Sequence, residues 1–212
     1  MTEPTRRPLS RMRASIAKSM SASALVPQFT VEMDADLRRL AEWRVKREDP
    51  PSYADVVVAA VARALADHPQ LNASFAEDAI LVHTVCNVAI GIALADGLIA
   101  PAIRGADTLD LAAIAAERRR LTAAAEGGSL TPEEIFSPTF TVSNLGPFGV
   151  RRFRALVVPP QAAILALGAL TASSEISLSL SCDHRVVDGA PAARFLGDVV
   201  ERLQAPAWLD DL

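Results

Sequence analysis

The chain has few aromatic residues and no excess of positive charge. Only 5% of its 212 residues are Phe, Trp or Tyr, and its formal net charge is −4. Proteins that bind nucleic acid usually carry basic patches, and those that bind single strands stack bases on aromatic side chains. We therefore expect no nucleic-acid partner.

Cysteines and long apolar runs are also scarce. Cys86 and Cys182 each lie in an apolar, strand-like segment, which predicts buried free thiols and not a disulfide framework. A metal site would need more ligands than these two thiols supply, so no metal is expected. No apolar run has the length of a membrane span, and we expect a cytoplasmic, reducing location without a membrane partner.

Core material, by contrast, is plentiful. Half of the residues are hydrophobic, and the chain is long enough for one well-buried core. With no repeat or interdomain linker in the sequence, residues 1–212 are predicted to form a single domain. Apolar periodicity predicts helices at 10–24, 35–47, 56–66, 109–125 and 192–203, and strands at 29–33, 79–83, 85–94, 98–103, 139–143, 162–167 and 176–181. This mixed order indicates an α/β fold in which helices flank a mixed sheet.

The segment Ser181–Ala190 places a histidine directly after an apolar strand. The unperturbed pKa of histidine suits it to accept and return a proton near neutrality. Alone, a histidine at a strand end is more often structural. Asp183 and Arg185 beside His184 add polar groups at the exit of a buried strand, which costs desolvation unless a site needs them. His184 is therefore a candidate general base.

Other candidate residues lie at the ends of elements. Asp188 precedes the last predicted helix and is a candidate N-cap, a role that does not exclude orienting the loop that carries His184. Gly189 is expected to supply backbone freedom to that turn. Ser143, followed by Asn144, ends another strand, where a serine is either a turn former or a hydroxyl donor to a developing oxyanion. Nothing in the sequence places a base beside this serine, so it is not a predicted nucleophile.

Five segments together resemble one family, the catalytic domain of the dihydrolipoyl acyltransferases, which are core subunits of 2-oxoacid dehydrogenase complexes. They occur in the family's order and span nearly the whole chain. They are Leu9–Arg13 with Ile16-Ala17, Pro69–Ala73, Gly91–Ala93 with Asp96–Leu98, Phe140–Gly146, and Ser181–Ala190.

This resemblance implies a chloramphenicol-acetyltransferase-like, coenzyme A-dependent acyltransferase fold assembled as a homotrimer. Its active sites would lie at subunit interfaces, with His184 from one subunit and Ser143 from its neighbour. His184 would deprotonate the thiol of coenzyme A or of dihydrolipoamide, and Ser143 would donate to the oxyanion. Asp188 would organise the loop through an ion pair with an arginine, for which Arg13 is the candidate, and Gly189 and Asn144 would support the site.

The sequence also departs from the family pattern. We identify no lipoyl domain and no peripheral subunit-binding domain, so the lipoyl group is expected in trans, from a lipoyl-domain or carrier protein. The acidic ending, Trp208–Leu212, favours a bare trimer over a larger cage. Two alternatives remain open: an acyltransferase with another acceptor, such as a carrier-bound or small-molecule hydroxyl or amine, and a non-catalytic scaffold.

Overall fold

The centre of the fold is a six-stranded mixed sheet, seen in a computed structural model that describes residues 4–211. In spatial order its strands are β1 (Gln28–Asp36), β10 (Glu175–Asp183), β9 (Ala163–Leu167), β8 (Phe140–Asn144), β4 (Val88–Ile90) and β7 (Ala102–Ile103). Strand β8 runs parallel to both of its neighbours, β4 and β9, whereas the remaining pairs are antiparallel. The predicted mixed sheet is therefore confirmed.

Two small hairpins accompany this sheet. They are β2 (Ala73–Ala76) with β3 (Ala79–Val82), and β5 (Ile92–Leu94) with β6 (Gly97–Ile99). The single strand predicted at 85–94 is wrong, because the chain leaves the large sheet at Gly91 and enters the second hairpin. The strand predicted at 98–103 is also divided, at Pro101, which has no N–H to donate to a strand neighbour. Strand β2 is not predicted from the sequence pattern.

Six helices pack around these strands in the described part of the chain. They are α1 (Arg11–Ser23), α2 (Arg38–Val45), α3 (Tyr53–Asp67), α4 (Leu111–Glu126), α5 (Pro132–Phe136) and α6 (Gly189–Gln204). A capping box begins α3: Ser52 Oγ accepts from the backbone N–H of Asp55, and the Asp55 carboxylate accepts from that of Ser52. Helix α2 is shorter than predicted because β1 continues to Asp36.

One face of the sheet carries the hydrophobic core. Helices α3 and α6 pack on it, and the rings of Phe140 and Phe195 lie 5.7 Å apart at its centre. In β10, side chains alternate between this core and the opposite face. The core set is Ile176, Leu178, Leu180 and Cys182, and the opposite set is Ser177, Ser179, Ser181 and Asp183. The strand therefore ends with a carboxylate on its polar face.

An irregular segment, residues 150–160, covers part of that polar face. The Arg152 guanidinium donates to Ser177 Oγ at 2.7 Å and to the carboxylate of Asp34 at 2.8 Å. The Arg154 side chain donates to Glu32 at 3.0 Å, and this hydrogen bond holds the pKa of Glu32 below its usual value. The segment is thus tied to β1 and β10 by charged side chains.

One expectation for the arginines of α4 is wrong. The sequence predicts Arg118 on the solvated side of this helix, but its guanidinium pairs with the fully buried carboxylate of Asp55. A buried carboxylate is costly unless a cation or hydrogen-bond donors satisfy it, which explains why Arg118 turns inward. Separately, none of the helices within residues 4–211 combines the length and the apolar character needed to cross a membrane.

The buried cysteines should resist alkylation. Cys86 and Cys182 are free and buried, as predicted, and burial raises the pKa of both thiols to about 12 because the thiolate is poorly solvated. At pH 8 we expect iodoacetamide to leave both thiols of the folded protein unmodified, and to label both after unfolding in guanidinium. Mass spectrometry measures the adducts, and rapid labelling of the folded protein would contradict the burial.

Candidate active site

His184 follows the last residue of β10 and is fixed by the start of β1. Its backbone N–H donates to the carbonyl oxygen of Pro27 at 2.8 Å, and its ring lies 4.6 Å from that of Phe29 between centroids. The side chain is 51% exposed. This residue is therefore not a core histidine: the strand end holds its backbone, one aromatic ring contacts one side of the imidazole, and the rest faces outward.

Asp188 stands at the N-cap position of α6, but its side chain makes no capping hydrogen bond. Its carboxylate oxygen lies 3.7 Å from His184 Nδ1, and 83% of the side chain is exposed. A pair this exposed contributes little to stability. Gly189 begins α6 without a positive φ, and an added Cβ would meet no atom within 4 Å. The backbone freedom expected of Gly189 is thus not used within the protomer.

Ser143 is the second-last residue of strand β8 and lies at the end of the sheet opposite His184. Its hydroxyl makes no hydrogen bond to any described residue, and it lies beside Gly91, whose ideal Cβ position is 3.8 Å from Ser143 Oγ. The turn after the strand is closed instead by Asn144, whose Oδ1 accepts from the Gly146 N–H at 2.8 Å. The turn-forming role considered for Ser143 belongs to Asn144, and the Ser143 hydroxyl is left as an available donor.

Strand register separates Ser143 from His184 within one protomer. Ser143 pairs with Ala166 on β9, and Ala166 pairs with Ser179 on β10, five residues before His184. Five residues along a strand and two strand spacings across the sheet amount to roughly 20 Å. The two predicted site residues therefore occupy opposite ends of the same sheet.

Arg13 lies on the Ser143 side of the protomer. Its guanidinium donates to the carbonyl oxygen of Asp96 at 3.2 Å, in the turn between β5 and β6. The neighbouring Leu98, on β6, lies next to Gly91 and hence close to Ser143. Among the described residues of one protomer, no arginine forms an ion pair with Asp188. The pair of Arg13 with Asp188 is therefore not made within a protomer and stays a prediction for the assembled protein.

The other two histidines have structural partners. His68 Nε2 lies 2.6 Å from the carboxylate of Asp198 on α6, and His83 Nε2 lies 2.7 Å from Ser74 Oγ. Desolvation lowers the pKa of His83. Both follow the end of an element, α3 for His68 and β3 for His83, and both are ordinary structural residues. No metal-binding group of three or more His, Cys, Asp or Glu occurs within residues 4–211.

The chain matches a family model over residues 1–209: the 2-oxoacid dehydrogenases acyltransferase, catalytic domain. It is 33% identical to the dihydrolipoyllysine-residue acetyltransferase component of the Rickettsia felis pyruvate dehydrogenase complex, over 95% of this chain and 54% of that protein. The chain thus spans about half the length of the curated relatives that it matches.

Solved structures agree with this match. A dihydrolipoamide acetyltransferase of Azotobacter vinelandii matches with a TM-score of 0.90 and 28% identity, over 98% of this chain and 94% of that chain. That enzyme was investigated for the roles of a serine, a histidine and an asparagine in its catalytic mechanism. The cubic core of a pyruvate dehydrogenase multienzyme complex has a TM-score of 0.89 and 28% identity, with 98% and 94% covered. A chloramphenicol acetyltransferase is 12% identical and has a TM-score of 0.56, over 88% of this chain and 94% of that chain. It shares the fold alone, and this likeness confirms the predicted fold class.

The turn after Ser143 should tolerate no side chain at Gly146. An added Cβ there would lie 2.8 Å from the Gly168 carbonyl oxygen and 2.9 Å from Asn144 Oδ1, whereas at Gly197 it would meet nothing within 4 Å. We expect Gly146→Ala to lower the free energy of unfolding by about 1–3 kcal/mol through this overpacking. Gly197→Ala, in the middle of α6, should raise it by up to about 1 kcal/mol. Urea unfolding measures both, and an unchanged midpoint for Gly146→Ala would contradict the packing.

Proposed function

The chain belongs to the family of 2-oxoacid dehydrogenase acyltransferase catalytic domains, and we propose that it transfers an acyl group between coenzyme A and a dihydrolipoyl thiol by general-base catalysis. The observation that carries this proposal is the half-exposed imidazole of His184, held by its backbone at the end of a buried strand, with the Asp188 carboxylate 3.7 Å away. The histidine and asparagine studied in the Azotobacter vinelandii enzyme have the same four-residue spacing as His184 and Asp188.

The reaction needs a base because a thiol is a weak nucleophile until it loses its proton. A thiol with a pKa near ~8.5 is mostly protonated at neutral pH, and a neutral imidazole accepts that proton. The thiolate formed by His184 attacks the carbonyl carbon of the acyl thioester. Collapse of the tetrahedral intermediate breaks the old carbon–sulfur bond, and His184 returns the proton to the leaving thiol. No acyl-enzyme forms.

Ser143 supplies the hydroxyl donor for the oxyanion, and it comes from a neighbouring subunit. The roughly 20 Å between Ser143 and His184 in one protomer supports this assignment, because a reacting carbonyl group cannot touch both within one chain. A homotrimer, in which each subunit presents its His184 end to the Ser143 end of the next, completes three such sites. Arg13 lies on the Ser143 side and pairs with Asp188 across the same interface.

The trimer is the proposed assembly, in preference to a larger cage. Asp210 accepts from Trp43 Nε1 at 2.9 Å and also pairs with Arg47, so the C-terminal turn (Pro206–Asp211) is held on its own protomer. These contacts of Asp210 support a trimer in which this C-terminal turn does not join a second trimer. The lipoyl group arrives on a lipoyl-domain or carrier protein in trans, and coenzyme A is the other substrate. The two buried free thiols suit a reducing cytoplasm.

Replacing His184 should remove most of the activity. Purified protein receives acyl-coenzyme A of several chain lengths and dihydrolipoamide, and thioester exchange is followed by mass spectrometry. We expect His184→Ala to lower kcat by about 10²-fold or more because the general base is lost. His68→Gln removes a histidine outside the site and should leave kcat within about twofold.

Three results would count against the proposal. Equal rates for His184→Ala and the unaltered protein would refute the general base. A protein that transfers acyl groups to hydroxyl or amine acceptors, but not to dihydrolipoamide, would replace the proposed acceptor with another one. A complete lack of acyl transfer by the unaltered protein would favour the alternative of a non-catalytic scaffold.

A further inference from the structure

A buried carboxylate closes the turn that carries His184. Asp183 is 2% exposed, and its Oδ1 accepts from both the backbone N–H and the Nε of Arg185, each at 2.9 Å. Its Oδ2 accepts from Arg185 Nη2 at 2.7 Å and from Nε at 3.2 Å. Asp183 and Arg185, on either side of His184, thus form a bidentate ion pair. Such charge-assisted pairs are among the stronger and more directional hydrogen-bonded arrangements in proteins.

The backbone of Asp183 reinforces the same turn. Its N–H donates to the Ala162 carbonyl oxygen at 2.8 Å, and its own carbonyl oxygen accepts from the N–H groups of Val186 and Val187, each at 3.0 Å. The backbone of His184 is therefore part of a hydrogen-bonded turn that begins at the end of the sheet. Neither the pairing in the sheet nor the α6 cap uses the Asp183 carboxylate, so its burial serves the turn alone.

Arg185 carries this connection to a second element. Its guanidinium stacks over the ring of Phe75 on β2, with 4.1 Å from the guanidinium carbon to the ring centroid. The hairpin that holds Phe75 is itself anchored, because the Ala73 carbonyl oxygen accepts from the Ala162 N–H at 2.9 Å and Ser74 contacts His83. The hairpin and the end of the sheet therefore hold Arg185 from two sides.

We propose that Asp183, Arg185 and Phe75 are positioning residues for His184: together they hold the turn on which the imidazole acts as a base. This proposal rests on the proposed acyl-transfer function. A general base must be held within a fraction of an ångström of the productive geometry, and such placement depends on rigid supporting contacts. His184 gains little support from its exposed neighbour Asp188, so this triad supplements the contacts that Pro27 and Phe29 make with it.

The chain contains a matched control for the ion pair. At the end of β1, Arg38 donates its backbone N–H and its Nε to Asp36 Oδ1, each at 3.0 Å, with the same two-residue spacing as Arg185 and Asp183. That pair lies on the surface, with 73% of the Arg38 side chain exposed, and no histidine stands between its members. Replacing the Arg38 side chain thus breaks the equivalent side-chain hydrogen bonds at a site remote from the candidate base.

The test combines spectroscopy with kinetics on the full chain. The protein contains three histidines, so a sample labelled with ¹³C-histidine gives a simple NMR spectrum, in which His184→Ala identifies the His184 signal. The variants are Arg185→Met, Arg185→Lys, Phe75→Leu and the control Arg38→Met. We expect the His184 ring signal to shift or broaden in Arg185→Met and Phe75→Leu. It should stay unchanged in Arg38→Met, as should the His68 signal in all four variants.

Kinetics should give a matching pattern. A displaced base slows the chemical step more than it weakens substrate binding, so we expect Arg185→Met to lower kcat by about 10-fold to 100-fold with less than about a threefold change in KM for either thiol. Arg185→Lys keeps the charge but loses the planar, two-pronged contact, and should recover only part of kcat. Phe75→Leu keeps an apolar contact and should fall between Arg185→Met and the unaltered protein.

Three outcomes separate the two proposals. An unchanged His184 signal in both Arg185→Met and Phe75→Leu overturns the positioning role, whatever the activity. A perturbed His184 signal with unchanged kcat in an active protein also overturns it. If the unaltered protein transfers no acyl group, the proposed function fails, and the NMR comparison with Arg38→Met alone decides whether the triad positions His184.

Discussion

The register of the central sheet is the constraint on which the functional account depends. Strand β10 runs antiparallel to β9, and β9 runs parallel to β8, so the C-terminal ends of β8 and β10 point to opposite edges of the sheet. Ser143 is the second-last residue of β8, and His184 directly follows β10. The backbone hydrogen bonds of the sheet thus fix the separation of the two residues, and side-chain rotation cannot close a gap of roughly 20 Å. A site that uses both must be shared between subunits.

The same sheet explains how a polar turn survives at the exit of a buried strand. Alternation along β10 sends Cys182 into the core and Asp183 to the polar face, where Arg185 satisfies its carboxylate. The hydrogen bond to Asp183 raises the pKa of Arg185, so the guanidinium stays charged throughout the range in which an imidazole works. The ion pair with Arg185 thus offsets the desolvation cost of burying the Asp183 carboxylate, and it also orders the turn that carries His184.

Local signals predicted much of this fold and some of the site. Apolar periodicity predicted α1, α3 and α4, and the segment Ser181–Ala190 pointed to His184. The failures were non-local: β2 is only four residues long, and the break at Gly91 depends on which sheet each half joins. Sequence spacing also could not indicate that Phe29 contacts His184 or that Phe75 stacks under Arg185, because strand pairing and hairpin docking bring these residues together.

Complementation between two inactive variants tests the shared site most directly. Ser143→Ala and His184→Ala proteins are mixed in equal amounts, unfolded, refolded together and assayed for thioester exchange, with refolded unaltered protein as the control. If each site takes His184 from one subunit and Ser143 from its neighbour, roughly one site in four is intact, and the mixture should recover about a quarter of the control activity. A mixture that refolds and assembles like the control but stays as inactive as either variant alone would contradict the account.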